Sequence, residues 1–324
     1  MLMTVRNLSV CYPVYRGFFF PKKIGEARAV DEVSFQIEEG ATLGLVGESG
    51  CGKTTTGRAI LLLEKPTGGE IRFEGEDIVR YDRRQLRDLR RRMQIVFQDP
   101  MGSLDPRMRV RDIVGEPLRI HEPSQAKGEY REHTDHLLEM VGLHPGMGAR
   151  YPHEFSGGQR QRIGIARALS VRPRLIVCDE PVSSLDVSIQ AQIINLLESL
   201  QERFRLTYLF IAHDLAVVRH MSTRVAVMYM GRIVELADRD AIYHGALHPY
   251  TRALLSAVPI PDPELESRRV HGWIEGEIPG PLEPPGGCTF HPRCSRAGDR
   301  CRRESPAMRP AGDGDHQVAC HFFG

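Results

Sequence analysis

Eight consecutive residues, Gly47, Glu48, Ser49, Gly50, Cys51, Gly52, Lys53 and Thr54, have the types and spacing of a phosphate-binding loop. The glycines permit backbone conformations that turn successive N–H groups inward around an anion. Lys53 suits the β- and γ-phosphates of a nucleoside triphosphate and the Thr54 hydroxyl suits Mg²⁺, with Thr55 next at the start of the following helix. Later in the chain, Phe155 precedes a second glycine-bearing segment, Ser156, Gly157, Gly158 and Gln159. Its two glycines open backbone N–H groups to an anion, and a helix beginning near Gln159 would direct its dipole there. A third segment, Leu175 to Cys178, is an apolar strand ending in Asp179 and Glu180. A carboxylate at that place can hold Mg²⁺ through water, which is the role read for Asp179, and Glu180 is placed to polarise an attacking water. Without a phosphate loop, the same pair would read as a strand-end cap.

These groups need a scaffold of buried strands and helices. Thr42 to Val46, Leu175 to Cys178 and Tyr208 to Ala212 are continuous apolar strands, and Lys53 to Leu63 reads as a helix. Val187 to Arg203 has apolar residues at helical spacing, Ile189, Ile193, Leu196, Leu197 and Leu200. Strands alternating with helices predict an α/β fold with a mostly parallel sheet covered on both faces. Val5 to Val10 and Ala29 to Ile37 alternate as half-exposed antiparallel strands, with Pro13 to Ile24 between them as an insertion loop bearing the aromatics Phe18 to Phe20. Pro106 to Leu169 has helical patterns and little strand character, so a helical subdomain is expected over about 100–169. After Ala257, Pro259, Pro261, Pro263, Pro279, Pro281, Pro284 and Pro285 mark a linker. The division expected is 1–257 and 258–324.

Hydrophobic residues make up 41% of the chain and charged residues 26%, ordinary for a globular protein with a sizeable core. Lys plus Arg is 43 against 42 Asp plus Glu, which argues against a broad nucleic-acid-binding surface. The run Arg83 to Arg92 carries Leu86, Leu89 and Met93 at helical spacing and reads as a solvated helix face. No apolar run is long enough to cross a membrane, and the N-terminus lacks the signature of an export signal.

In this order, the segments resemble the ATP-binding subunit of ABC transporters over nearly the whole chain. That resemblance implies a P-loop, RecA-like core with an antiparallel β subdomain and a helical signature subdomain. It implies that Ser156 to Gln159 contact the γ-phosphate of ATP held by an opposite subunit. Gln98 matches a Mg²⁺ and water contact that also senses the membrane partner, and Asp186 matches a residue at the dimer seam. His213 matches a switch histidine at the γ-phosphate, and Tyr12 an aromatic stacked on adenine. Gly44 to Lys53, Ser103 to Arg107, His248 to Leu255 and Gly287 to Cys294 resemble the oligopeptide/dipeptide and nickel branch of importers, and within it the second of two paralogous ATPases. The resemblance implies ATP and Mg²⁺, two transmembrane permease subunits, a second ATPase subunit (paralogue or self) and an extracytoplasmic substrate-binding protein. It places the chain peripherally at the cytoplasmic face of the cell membrane, with Gln98 and Ser103 to Arg107 as the contact. Import of nickel or another small solute is the nearest alternative, and a soluble non-transport ABC ATPase the more distant one.

Four cysteines crowd the C-terminal segment in the pattern Cys288-x5-Cys294-x6-Cys301-x18-Cys320. In an unexported chain such a cluster points to a metal rather than to disulfides. Zn²⁺ suits four thiolates, but structural zinc sites favour closer cysteine pairs. A [4Fe–4S] cluster tolerates wider spacing, and the resemblance to the importer branch carries that centre over to this cysteine-rich extension. His291, His316 and His321 keep a mixed ligand set open, and four unmetallated thiols are the alternative to any metal.

Overall fold

Apolar runs without polar alternation become strands buried at every position: Thr42–Val46, Leu175–Asp179 and Thr207–Ala212. The computed structural model describes residues 1–17, 21–123, 126–258, 276–277, 279–280, 284–312 and 314–323. The Phe18 to Phe20 aromatics and the linker prolines Pro259, Pro261, Pro263 and Pro281 lie outside the described residues. The chain forms two compact units, one of residues 1–2, 37–42 and 76–211, the other of 3–36, 43–75 and 212–324.

The first unit is built on three parallel strands. Met93–Val96 pairs with Leu175–Asp179 in register Met93↔Leu175, and Leu175–Asp179 pairs with Thr207–Ala212 in register Leu175↔Thr207. Helices Val110–Val114, Glu116–His121, Lys127–Met140 and Gly157–Leu169 fill the stretch read as helical. Helix Val187–Phe204 buries Ile193, Ile194, Leu197 and Leu200, an apolar stripe at helical spacing. The arginine-rich run forms helix Arg83–Arg92, started by a capping box between Asp82 and Gln85 and inserting Leu89 into the core.

The second unit contains two sheets. In one, Met3–Arg16 lies between Lys22–Ile37 and Gly68–Phe73, antiparallel to the latter with Met3 opposite Phe73. The insertion loop expected from Pro13 to Ile24 is largely strand, since the first strand continues to Arg16 and the next begins at Lys22. The register with Gly68–Phe73 ends at Ser9, so the missing N–H of Pro13 removes no bond on that side. In the other sheet Thr42–Val46 runs parallel to Arg224–Tyr229, which turns back into Arg232–Asp238. Met230 and Gly231, at φ 44° and 81°, form that two-residue turn, as a tight hairpin of this hand requires. The sheet is thus mixed where the alternation of strands and helices suggested mostly parallel pairing. Two short C-terminal strands, Arg309–Pro310 and Gln317–Val318, extend it, with Val318 opposite Glu235. At two residues each they are too short to leave a period-two pattern in the sequence. Among the described residues no helix is long and apolar enough to cross a membrane.

Candidate functional site

The phosphate loop follows the buried strand Thr42–Val46 and leads into helix Lys53–Ile60. Gly47 has φ 153°, and a side-chain carbon there would stand 2.1 Å from the Met228 carbonyl oxygen. Gly52 has φ 107°, and the same carbon would stand 2.1 Å from the Ala29 carbonyl oxygen. Only glycine fits either place, so the loop curls tightly enough to leave a cradle of backbone donors. Gly52, left-handed at the N-cap, carries no side chain to cover the N-terminus of the helix, the end that favours an anion. Lys53 is 4% exposed and closes the loop on itself, its Nζ donating to the carbonyl oxygens of Gly47 at 2.7 Å and Glu48 at 2.9 Å. Thr54 and Thr55 are half-buried in the first turn, while Ser49 and Gly50 are exposed at the rim. Burial pushes the Cys51 thiol up, so at neutral pH it is a small apolar filler beside Lys53. Tyr12 reaches the same helix, where burial first and the Glu64 carboxylate second raise its hydroxyl, with Thr55 and Arg58 alongside. His213 is exposed directly after strand Thr207–Ala212, and Asp214 caps the next helix by accepting from the Ala216 N–H at 2.8 Å.

The other chemical groups stand at the carboxyl ends of the parallel strands of the first unit, the end at which such sheets bind ligands. Asp179 closes its strand at 2% exposure. Glu180 sits next to it at φ 46°, a left-handed conformation that non-glycine residues seldom adopt. Its N–H donates to the Ile211 carbonyl at 2.9 Å, fixing the backbone. Its carboxylate accepts from Gln98 Nε2 at 2.8 Å. Two residues singled out for one reaction, 82 positions apart, therefore share a hydrogen bond.

Ser156 caps helix Gly157–Leu169 in a capping box. The Gln159 N–H donates to its Oγ at 3.4 Å, and its own N–H donates to Gln159 Oε1 at 3.0 Å. A side-chain carbon on Gly158 would meet Ile189 Cγ2 at 2.4 Å, so this glycine lets the helix approach Val187–Phe204. Asp186 is the N-cap residue of that second helix yet makes no side-chain cap, and its neighbour Val187 is 81% exposed.

The sequence profile of ABC transporters matches residues 30–183. The oligopeptide transport ATP-binding protein AppF of Bacillus subtilis is 51% identical over 323 residues, covering 99% of this chain and 97% of that protein. This chain belongs to the ABC transporter family. The ABC chain is also 50% identical over 323 residues to the oligopeptide transport ATP-binding protein OppF of Escherichia coli, covering 99% of this chain and 96% of that protein. A dimeric ATP-binding cassette solved in a post-hydrolysis state with ADP and Pi aligns at a TM-score of 0.65 with 28% identity, covering 74% of this chain and 99% of that one. The profile of the oligopeptide/dipeptide transporter C-terminal region matches residues 234–301.

That C-terminal region of the ABC chain reaches the phosphate loop, which the sequence reading missed. Tyr250 is fully buried and its hydroxyl accepts the Glu48 N–H at 2.9 Å. Arg293 holds the Glu48 carboxylate with two hydrogen bonds, at 2.7 and 3.0 Å. Behind them, buried Glu235 accepts from the N–H groups of Leu247 and His248 and pairs with His316 at 2.7 Å. Tyr250 and Arg293 lie inside two segments the resemblance had marked, but no spacing rule pairs position 48 with either.

The metal centre expected at the four cysteines is not shown. Cys288, Cys294, Cys301 and Cys320 come within one another's electrostatic reach, and burial first, then the other three thiols, push Cys288 up to about 11. Yet among the described residues no group of three or more His, Cys, Asp or Glu could hold a metal ion. The arrangement supports neither a [4Fe–4S] cluster nor Zn²⁺. Backbone bonds stitch the segment instead, Cys288 N–H to the Cys301 carbonyl at 2.8 Å and Ala297 N–H to the Cys294 carbonyl at 3.1 Å.

Proposed function

We propose that this ABC ATPase powers import of di- or oligopeptides across the cytoplasmic membrane as one subunit of a larger transporter. The observation that carries the reading is identity of about half over nearly the full length to proteins named for oligopeptide transport, joined to a phosphate loop whose two hemmed glycines leave room only for backbone around an anion. In this reading the Gly47 to Thr55 segment holds the ATP phosphates, Lys53 turns from the loop carbonyls to the β- and γ-phosphates, and Tyr12 stacks on adenine. Thr54, Asp179 and Gln98 hold Mg²⁺, which neutralises charge on the phosphates when bound. Glu180 polarises the attacking water, Gln98 orients that carboxylate, and His213 contacts the γ-phosphate.

Ser156 to Gln159 serve ATP held by a second ATPase subunit, and Asp186 lies at the seam with it. Two permease subunits dock near Gln98 and Ser103 to Arg107, where Met101 is 49% exposed and Arg107 is paired to Asp105 at 3.2 Å. An extracytoplasmic binding protein delivers the peptide, and the ATPase works at the cytoplasmic face. The working division remains 1–257 as nucleotide-binding domain and 258–324 as extension. A [4Fe–4S] centre in that extension rests on cysteine spacing and mutual reach alone and takes no part in this mechanism.

Glu180→Gln and Lys53→Ala test the reading in the assembled transporter. We expect Glu180→Gln to lower ATP hydrolysis at least about hundredfold while ATP binding persists and a closed dimer accumulates. Lys53→Ala should abolish both binding and peptide uptake. Hydrolysis unchanged in Glu180→Gln refutes the role given to that carboxylate, and uptake of nickel in place of peptide refutes the substrate.

A further inference from the structure

The C-terminal segment and the loop's own lysine together hold Glu48 on every polar side. The Glu48 N–H is taken by Tyr250, its carbonyl by Lys53 and its carboxylate by Arg293. The Arg293 side chain is 7% exposed and that of Glu48 23%, so this two-pronged pair is shielded in a way surface ion pairs are not. Arg293 is itself mounted rigidly. Its N–H donates to the Phe290 carbonyl at 3.0 Å, closing the short turn His291–Arg293, and the His291 N–H donates to the Cys288 carbonyl at 3.0 Å. The guanidinium lies 5.8 Å from the centroid of the Tyr229 ring. Tyr229 in turn packs on Tyr250 at 4.7 Å and on Phe290 at 5.2 Å.

A carboxylate inside an anion-binding loop is an electrostatic liability, because a triphosphate brought to the loop meets a negative charge of its own sign. The Arg293 fork cancels that charge and fixes the loop in one conformation. We propose that Arg293 is a positioning residue for ATP. It holds Glu48 so that the loop N–H groups stay aimed at the phosphates, and it masks the Glu48 carboxylate from them. The nucleotide affinity of the loop thereby depends on a properly folded C-terminal segment. This rests on the reading of the chain as an ATPase.

The test is steady-state ATP hydrolysis by the full-length chain, with thermal unfolding measured alongside. Arg293→Gln should raise the KM for ATP about tenfold with kcat changed by less than about threefold, and Arg293→Lys, which keeps the charge without the fork, should raise it less. Adding Glu48→Gln to Arg293→Gln removes the unmasked charge and should bring KM back toward wild type. A merely structural Arg293 would lower the unfolding temperature and the active fraction while leaving KM in place, and that result overturns the proposal. So does a double variant whose KM is no lower than that of Arg293→Gln alone. If Arg293→Gln does not fold, Arg293→Lys carries the same decision, since an unchanged KM there also overturns it. Lys53→Ala separates the two levels. Wild-type hydrolysis that survives it sinks the ATPase reading, whereas hydrolysis that it abolishes, together with a flat KM across the Arg293 variants, sinks the positioning role alone.

Discussion

The phosphate loop and the Ser156 to Gln159 segment are both glycine-bearing and both lead a helix, yet they are finished differently. The loop is closed by its own unit, with Lys53 folded onto two carbonyls and Glu48 held on three sides. The second segment leaves Ser156 and Gly157 exposed, and the nearby Asp186 caps nothing while Val187 stands 81% in solvent. One site is organised before its ligand arrives. The other stands in solvent at Ser156 and Gly157, its Ser156 and Gln159 N–H groups joined in their own capping box.

Three substitutions probe that contrast. The largest effect belongs to Gly47→Ala, whose new carbon would meet the Met228 backbone oxygen at 2.1 Å. The clash cannot be relieved by turning a side chain, so we expect a loss of about 3 kcal/mol or more in stability and nearly all ATP binding, read by unfolding and nucleotide titration. If Gly47→Ala binds ATP normally, the loop is less rigid than its contacts imply.

Acid should come next, and it should act on the loop's support. His248 caps helix Pro249–Ser256 by accepting the Tyr250 N–H at 3.1 Å, and burial lowers its pKa from the ordinary 6.5 to about 4. Between those values the unfolded chain takes up a proton that the folded one refuses, so stability rises with pH across that window and falls on acidification. The full effect is at most about 3 kcal/mol, complete near pH 4. Asparagine can make the same cap without titrating, so His248→Asn should flatten the slope of unfolding temperature between pH 6.5 and 4. An unchanged slope would place the acid sensitivity elsewhere.

Smallest is Gly158→Ala, where the obstacle is the Ile189 side chain at 2.4 Å rather than backbone. A cost of about 1–2 kcal/mol is expected, and adding Ile189→Ala should return part of it. No rescue would mean that the helix backbones, and not that one methyl group, set the spacing.

Most of the first unit was legible because each of its signals is local. A continuous apolar run before Asp179 and Glu180 and a helical stripe in Val187 to Arg203 can each be read in one window. The left-handed Glu180 and its bond to Gln98 were not, since backbone strain leaves no compositional trace. The second unit was harder. Pro13 suggested a loop because a proline's tolerance depends on which neighbour strand has already ended. The strand Gln317–Val318 and the Arg293 clamp depend on residues far away in the sequence. The spacing of the four cysteines says that they can converge, which they do, but not that their thiols take the geometry of a metal centre.

The pairing of Gln317–Val318 with Arg232–Asp238 also bears on the order in which the chain can fold. Residues 76–211 make an almost continuous unit, free to fold as they emerge from synthesis. The phosphate-loop unit gathers segments from both ends of the chain, so until His316 and Val318 arrive, Glu235 has neither its ion-pair partner nor its covering strand. The nucleotide loop is made early but finished last, and a ribosome that stalls before these residues would release a chain with Gly47 to Thr54 intact in sequence and unsupported in space.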